Sequence, residues 1–132
     1  LNYLNLLATR GNAYRPHRVM VDEPPVNEIP TLKDETWDRI ISDMRLIITD
    51  ENGTGKNAEP DIPGMLVYGK TGTAENAHGE SHAWFIGWAE YADQKYSVVI
   101  LLENAGSGGK VAAPIAKMIF NEIYKSDKLV YK

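Results

Sequence analysis

Lys70 is the residue around which chemistry could be built. It lies in Gly64-Met65-Leu66-Val67-Tyr68-Gly69-Lys70-Thr71, which satisfies the phosphate-binding pattern G-x-x-x-x-G-K-[ST]. The residues between the glycines argue against a nucleotide. A phosphate loop needs a flexible turn whose amides curl round the anion, followed by a helix whose N-terminus faces it. Met65-Leu66-Val67-Tyr68 instead favours a buried, extended strand, and Thr73-Ala74-Glu75-Asn76-Ala77-His78-Gly79 has no amphipathic period. The lysine is therefore expected on a strand, as part of Lys70-Thr71-Gly72-Thr73: one cation, two hydroxyls and a glycine that allows another backbone to approach closely.

A second cluster, Glu75, His78, Glu80 and His82, has the residue types of a metal site. Two histidines four apart share a face only on a helix, and this stretch reads as a glycine-containing loop between two strands. Solvated or structural roles are expected for it, since a real site needs three or four converging ligands. Trp84, Phe85 and Trp88 read as packing residues of a strand.

The elements that must position Lys70 follow from periodicity. Leu1, Leu4, Leu7 and Ala8 fall on one helical face, with Gly11 expected at the C′ position. Ala13 to Val21 reads as extended, and the proline-rich Glu23-Pro24-Pro25 to Pro30 as a connector. Thr31-Leu32-Lys33-Asp34 resembles a capping box, ahead of a helix carrying Trp37, Ile40, Ile41, Met44, Ile47 and Ile48. Asn52-Gly53-Thr54-Gly55 closes that helix. Three strands follow: Met65 into Thr73, Ala83–Ala89, and Tyr96–Leu102. The last two are joined by a tight turn at Asp93-Gln94 and so pair antiparallel. Both are apolar at nearly every position, so cover on both faces is expected. Ser107-Gly108-Gly109 leads into a final helix with the stripe Val111, Ile115, Met118, Ile119 and Ile123 and with Pro114 in its first turn. The order helix, strand, helix, three strands, helix predicts an α+β fold, with helices packed on an antiparallel sheet.

The net charge of −4 gives no basic face for nucleic acid. The absence of cysteine excludes disulfides and thiolate chemistry. The longest aliphatic run, Val98-Val99-Ile100-Leu101-Leu102, is far short of a membrane span, and the N-terminus carries no signal-peptide pattern. Leu1-Asn2-Tyr3-Leu4 reads as the middle of a helix, so further sequence is expected upstream.

Lys70-Thr71-Gly72-Thr73-Ala74-Glu75 resembles the Lys-Thr-Gly element of penicillin-binding proteins and serine β-lactamases. His82-Ala83-Trp84-Phe85-Ile86-Gly87-Trp88 is similar to the next strand of that family, with its Trp-Phe-x-Gly core. Leu102 to Gly109 (LENAGSGG) and Ala112-Ala113-Pro114-Ile115 resemble its last strand and final helix. Gly11-Asn12-Ala13-Tyr14-Arg15-Pro16-His17 resembles a segment after an earlier helix. Five pieces in the right order cover essentially the whole chain. The Glu-Asn-x-Gly and Ala-Ala-Pro-Ile details look more like class B penicillin-binding proteins than β-lactamases.

The resemblance implies that residues 1–132 are the C-terminal portion of a transpeptidase domain. The parent would be a peptidoglycan D,D-transpeptidase, anchored in the bacterial cell membrane with this domain on the extracytoplasmic side. It would attack the D-Ala-D-Ala bond of a stem peptide, form an acyl-serine, and pass the acyl group to an amine. β-Lactam antibiotics would acylate the same serine. Catalytic roles would fall to Lys70 and to the backbone N–H of Thr73 as an oxyanion donor. Lys70, Thr71, Gly72 and Thr73 would bind substrate, with the two hydroxyls on its carboxylate. No metal, cofactor, nucleotide or nucleic acid is implied. The family's Ser-x-x-Lys and Ser-x-Asn motifs are matched by none of Ser42, Ser81, Ser97, Ser107 and Ser126. The nucleophile is thus expected from the rest of the transpeptidase domain, and this chain alone would form no acyl-enzyme. A β-lactamase or a non-enzymatic β-lactam sensor would use the same strand; acyl-enzyme turnover separates the first and upstream domain context the second.

Overall fold

The computed structural model describes residues 1–15, 19, 26–27 and 32–130. Helix α1 (Asn2–Ala8) is followed by a short antiparallel pair, β1 (Ala13–Tyr14) with β2 (Val26–Asn27). Helix α2 (Asp34–Thr49) then leads through a 3₁₀ turn at Lys56–Ala58 to β3 (Leu66–Ala74), β4 (His82–Tyr91) and β5 (Gln94–Leu102). A π-helical turn at Gly108–Ala112 opens α3 (Ala113–Val130). The three long strands form one antiparallel sheet in the order β3-β4-β5. The α+β arrangement of helices on an antiparallel sheet is the one expected.

Several details differ from the expectation. The end of α1 is a Schellman motif: Gly11 N–H donates to Leu6 C=O at 2.9 Å and Arg10 N–H to Leu7 C=O at 3.3 Å. The left-handed C′ residue is therefore Arg10 (φ 52), one before Gly11. Helix α2 starts behind Lys33 with no side-chain cap. Asp34 and Glu35 instead place negative charge against the helix N-terminus. Thr31 of the expected capping box lies outside the described residues, as do Pro16 and Met20–Val21 of the expected extended stretch and 23–25 and 28–30 of the connector. Val26-Asn27 within that connector is a strand. The β4–β5 turn is Ala92-Asp93, flanked by the pair Tyr91↔Gln94, with Ala92 at φ 50.

Period-two alternation divides the sheet into two faces. Val67, Phe85, Ala89 and Ile100 lie on one, in a core with Ala112, Ala113, Ala116 and Phe120. That set corrects part of the stripe expected on α3: Val111, Ile115 and Ile123 pack against this core, but the other two members do not. Met118 is 65% exposed and Ile119 is exposed too. The alanines bring the helix close to the sheet, so small residues and Phe120 mark its inner face. Close approach also explains a glycine pair. Gly69 and Gly87 are register partners, and a Cβ on either would stand within 3 Å of the Phe85 ring, at 2.6 and 2.9 Å. The Gly69 that completes the apparent phosphate motif is therefore a packing glycine.

On the other face Tyr68 and Trp88 stack at 4.9 Å, in a second core with Leu4, Leu7, Trp37 and Met44. Cover stops there. Val99 and Leu101, expected to be buried, are each 43% exposed. Helix α1 meets β5 at Lys95, whose Nζ donates to the Ala8 carbonyl at 2.6 Å, and at Ser97, whose Oγ donates to Asn5 Oδ1 at 3.0 Å. The half-open rows are Lys70–Ile86–Val99 and Gly72–Trp84–Leu101. The incomplete side of the sheet is thus the side onto which Lys70 projects.

Candidate active site

Strand β3 is an edge strand among the described residues, so half of its backbone groups have no ladder partner. Arg45 shows which half. Its Nη1 donates to the Val67 carbonyl at 2.7 Å from α2, so that carbonyl points away from β4. In an antiparallel strand both backbone groups of one residue point the same way, and the direction alternates along the chain. The N–H and C=O of Gly69, Thr71 and Thr73 therefore also face the free edge. The Thr71 carbonyl fits this, accepting from Lys70 Nζ at 2.6 Å.

Arg45 holds this edge rigidly. It grips Glu59 through both Nη atoms, at 2.6 and 2.7 Å. The hydrogen bond to Glu59 raises its guanidinium affinity for the proton further, against the opposing effect of burial. Nothing in the spacing of Arg45, Glu59 and Val67 announces this clamp, because the partners come from three separate segments.

The four motif residues divide between the faces. By alternation Lys70 and Gly72 lie toward the half-open side and Thr71 and Thr73 toward the other, and all four border a pocket of about 480 Å³ lined also by Thr54, Ser107, Lys56 and Lys110. Thr71 is nearly buried, at 8% exposure, and its hydroxyl donates to Thr54 Oγ1 at 2.8 Å. A hydroxyl has one proton, so in this arrangement Thr54 presents the outward donor. Thr54 is the residue that the sequence reading passed over. Thr73 Oγ1 accepts the Gly108 N–H at a long 3.5 Å, leaving its own proton free for a ligand.

The loop after β3 is held by polar contacts of its own. Asn76 Nδ2 donates to Asn104 Oδ1 at 2.6 Å. Asn104 N–H donates to His82 Nδ1 at 3.0 Å. His82 thus serves as an acceptor that fixes the left-handed Asn104 (φ 52). Among the described residues no three His, Cys, Asp or Glu side chains gather as a metal site.

Comparison with known proteins decides the family. A family model of the penicillin binding protein transpeptidase domain matches residues 1–121. The chain belongs to the penicillin-binding protein transpeptidase family. It is similar to the peptidoglycan D,D-transpeptidase MrdA of Haemophilus influenzae, 31% identical over 141 aligned positions that take in 88% of this chain. It is also similar to the peptidoglycan D,D-transpeptidase PbpA of Mycolicibacterium smegmatis, 33% identical over 84% of this chain. Among solved structures, PBP2 of Pseudomonas aeruginosa superposes on 89% of this chain with a TM-score of 0.71 at 28% identity. The chain spans 22% and 26% of the two curated relatives and 27% of the solved chain. The expected class B penicillin-binding protein transpeptidase domain, and its fold, are thereby shown. No described helix is long and apolar enough to cross a membrane.

Within this transpeptidase segment Tyr68 gives a pH prediction. Burial raises its phenol above the usual value of 10.0, and the nearby Glu90 charge adds to this. Raised in the fold, the group contributes stability that is complete below pH 10 and is lost as pH climbs through its folded value. Thermal unfolding followed from pH 8 to 11 is expected to show a fall in melting temperature above about pH 10. Tyr68→Phe should flatten that limb, and an identical limb in the variant would exclude Tyr68 as its source.

Proposed function

We propose that residues 1–132 are the C-terminal part of the transpeptidase domain of a membrane-anchored, extracytoplasmic peptidoglycan D,D-transpeptidase. The observation that carries this reading is the free edge of β3. It presents the Thr73 N–H, the Thr73 hydroxyl and the Lys70 ammonium around one short stretch of strand.

In the proposed reaction a stem peptide ending in D-Ala-D-Ala lies along this edge as an added strand, its register fixed by main-chain hydrogen bonds. A serine from the rest of the domain attacks the carbonyl between the two D-alanines. The serine oxygen bonds to the carbonyl carbon, and its proton passes to the departing D-Ala amine. The tetrahedral oxyanion takes a hydrogen bond from the Thr73 N–H, a donor worth about 3 kcal/mol in such sites. Thr71, through Thr54, and Thr73 hold the terminal carboxylate, and the Lys70 charge draws it in. A second amine then attacks the acyl carbonyl, forming the new peptide bond as the bond to the serine oxygen breaks and that oxygen takes up the amine's proton. A β-lactam would enter the same site and stop at the acyl stage. The rest of the domain would cover the half-open rows that end at Val99 and Leu101, bringing the serine to the face that bears Lys70.

The test is labelling of the full-length protein with fluorescent penicillin, followed by intact-mass measurement and by a cross-linking assay on D-Ala-D-Ala peptides. One slowly hydrolysed adduct per chain together with peptide cross-linking is expected. A folded full-length protein that takes no label, or that turns the antibiotic over rapidly, would overturn the reading.

A further inference from the structure

The pocket beside Thr71 and Thr73 holds more positive charge than one carboxylate needs. Lys56 and Lys110 line it together with Lys70, and no acidic side chain does. Lys95, Lys117 and Lys125 are each paired with a carboxylate. Among the described residues Lys56 has only the Glu51 carbonyl, at 3.3 Å, and Lys110 has no side-chain partner. In a chain of net charge −4, three lysines gathered without a counter-charge mark an anion site.

The segments that carry the two exposed lysines are tied together. Asn57 Nδ2 donates to the Gly109 carbonyl at 2.9 Å, which ties the neighbour of Lys56 to the neighbour of Lys110. Gly109 is packed on the same loop, where a Cβ would stand 2.4 Å from the Thr54 carbonyl. The pocket's 480 Å³ compares with roughly 30 Å³ for one water in the liquid. A carboxylate on the threonine hydroxyls leaves most of it unfilled.

We propose that Lys56 and Lys110 form a second carboxylate subsite. It takes an acidic side chain on the incoming amino acid, whose own carboxylate would rest where that of the departing D-Ala rested, beside Thr71 and Thr73. This rests on the transpeptidase reading above. In that reaction the residue holding the threonine hydroxyls is the departing amine, and the amine that replaces it enters by the same path. The subsite thus selects accepting amino acids with a second carboxylate. Carboxylate is favoured over phosphate because the adjoining group is itself a carboxylate and no loop of amides encircles the pocket.

D-Glutamate and D-glutamine differ in side-chain charge and hardly in shape. Calorimetric titration of the full-length protein with each is expected to give about fivefold tighter binding of D-glutamate, the scale of one further charge pair at a half-open site. In Lys56→Gln/Lys110→Gln the ratio should fall to about one, while Lys56→Arg/Lys110→Arg should keep it. A ratio near one in the unaltered protein, or one unchanged in the glutamine double variant, would overturn the subsite. So would inorganic phosphate binding more tightly than D-glutamate. Calorimetry needs no acylation. A protein that prefers D-glutamate yet takes no penicillin keeps the subsite and loses the transpeptidase reading; the reverse result loses the subsite alone.

Discussion

Lys70→Ala in the full-length protein is expected to slow acylation by penicillin by roughly 10²–10³-fold, the scale at which one preorganised electrostatic contact is lost from an acyl-transfer site. The geometry says why the loss should be kinetic and not structural. The Lys70 side chain is exposed and its hydrogen bond is to the carbonyl of the next residue, so no core contact goes with it. Thermal stability should stay within about 0.5 kcal/mol of the parent, as for surface changes away from packed features. Stopped-flow acylation with a reporter β-lactam checks the rate, and a melting curve checks the fold. Lys70→Arg keeps the charge but replaces a compact ammonium by a planar fork, so partial recovery is expected. A variant that acylates at the parent rate would remove Lys70 from the site. One that melts several degrees lower would recast it as a structural residue.

How far such a site is legible in a sequence depends on whether its parts are local. Strand β3 was legible because Met65 to Tyr68 is apolar and Lys70-Thr71-Gly72-Thr73 is contiguous. The antiparallel β4–β5 pair was legible because a two-residue turn leaves no other geometry. The buried face of α3 was legible at Val111, Ile115 and Ile123 and misread beside them, since periodicity weighted by bulk selects Met118 and Ile119 over Ala112, Ala113 and Ala116. Small residues say where a helix is close to a sheet only once the sheet is known. Cover over β5 was overestimated for a related reason. The apolar run Val98 to Leu102 shows what the strand would bury, but the polar contacts of α1 with β5 lie at Lys95 and Ser97, and Val99 and Leu101 stay half-exposed. The Thr54–Thr71 hydrogen bond, the Arg45 clamp on Val67 and the Lys56–Lys110 pocket all join residues at least 17 positions apart. No local pattern encodes them.

Gly108 concentrates that non-local dependence in one atom's worth of space. A Cβ there would stand 2.3 Å from both the Gly72 and the Trp84 carbonyl oxygens. Neither neighbour is a side chain that could turn aside, and both belong to strands fixed by the β3–β4 register at Gly72↔Trp84. Gly108 is not in the left-handed region, so its requirement is for space, not for an unusual φ. Gly108→Ala is therefore expected to cost about 3 kcal/mol, the upper range for overpacking against parts that cannot relax. That corresponds to a fall in melting temperature of the order of 10 °C. The relief open to the chain is to lift the π-helical turn off the sheet. Such a shift would break the Gly108 N–H contact to Thr73 Oγ1 and move Lys110 and Ser107 away from the pocket. The variant should then lose stability and penicillin acylation together. By contrast, Gly64→Ala meets nothing within 4 Å, and its cost should be confined to the strain of its positive φ of 84, about 1 kcal/mol. Equal melting points for the two variants would show that α3 does not press on the Lys-Thr-Gly strand through Gly108. A Gly108→Ala protein that melts low yet acylates normally would mean that the strand keeps its shape without the turn above it.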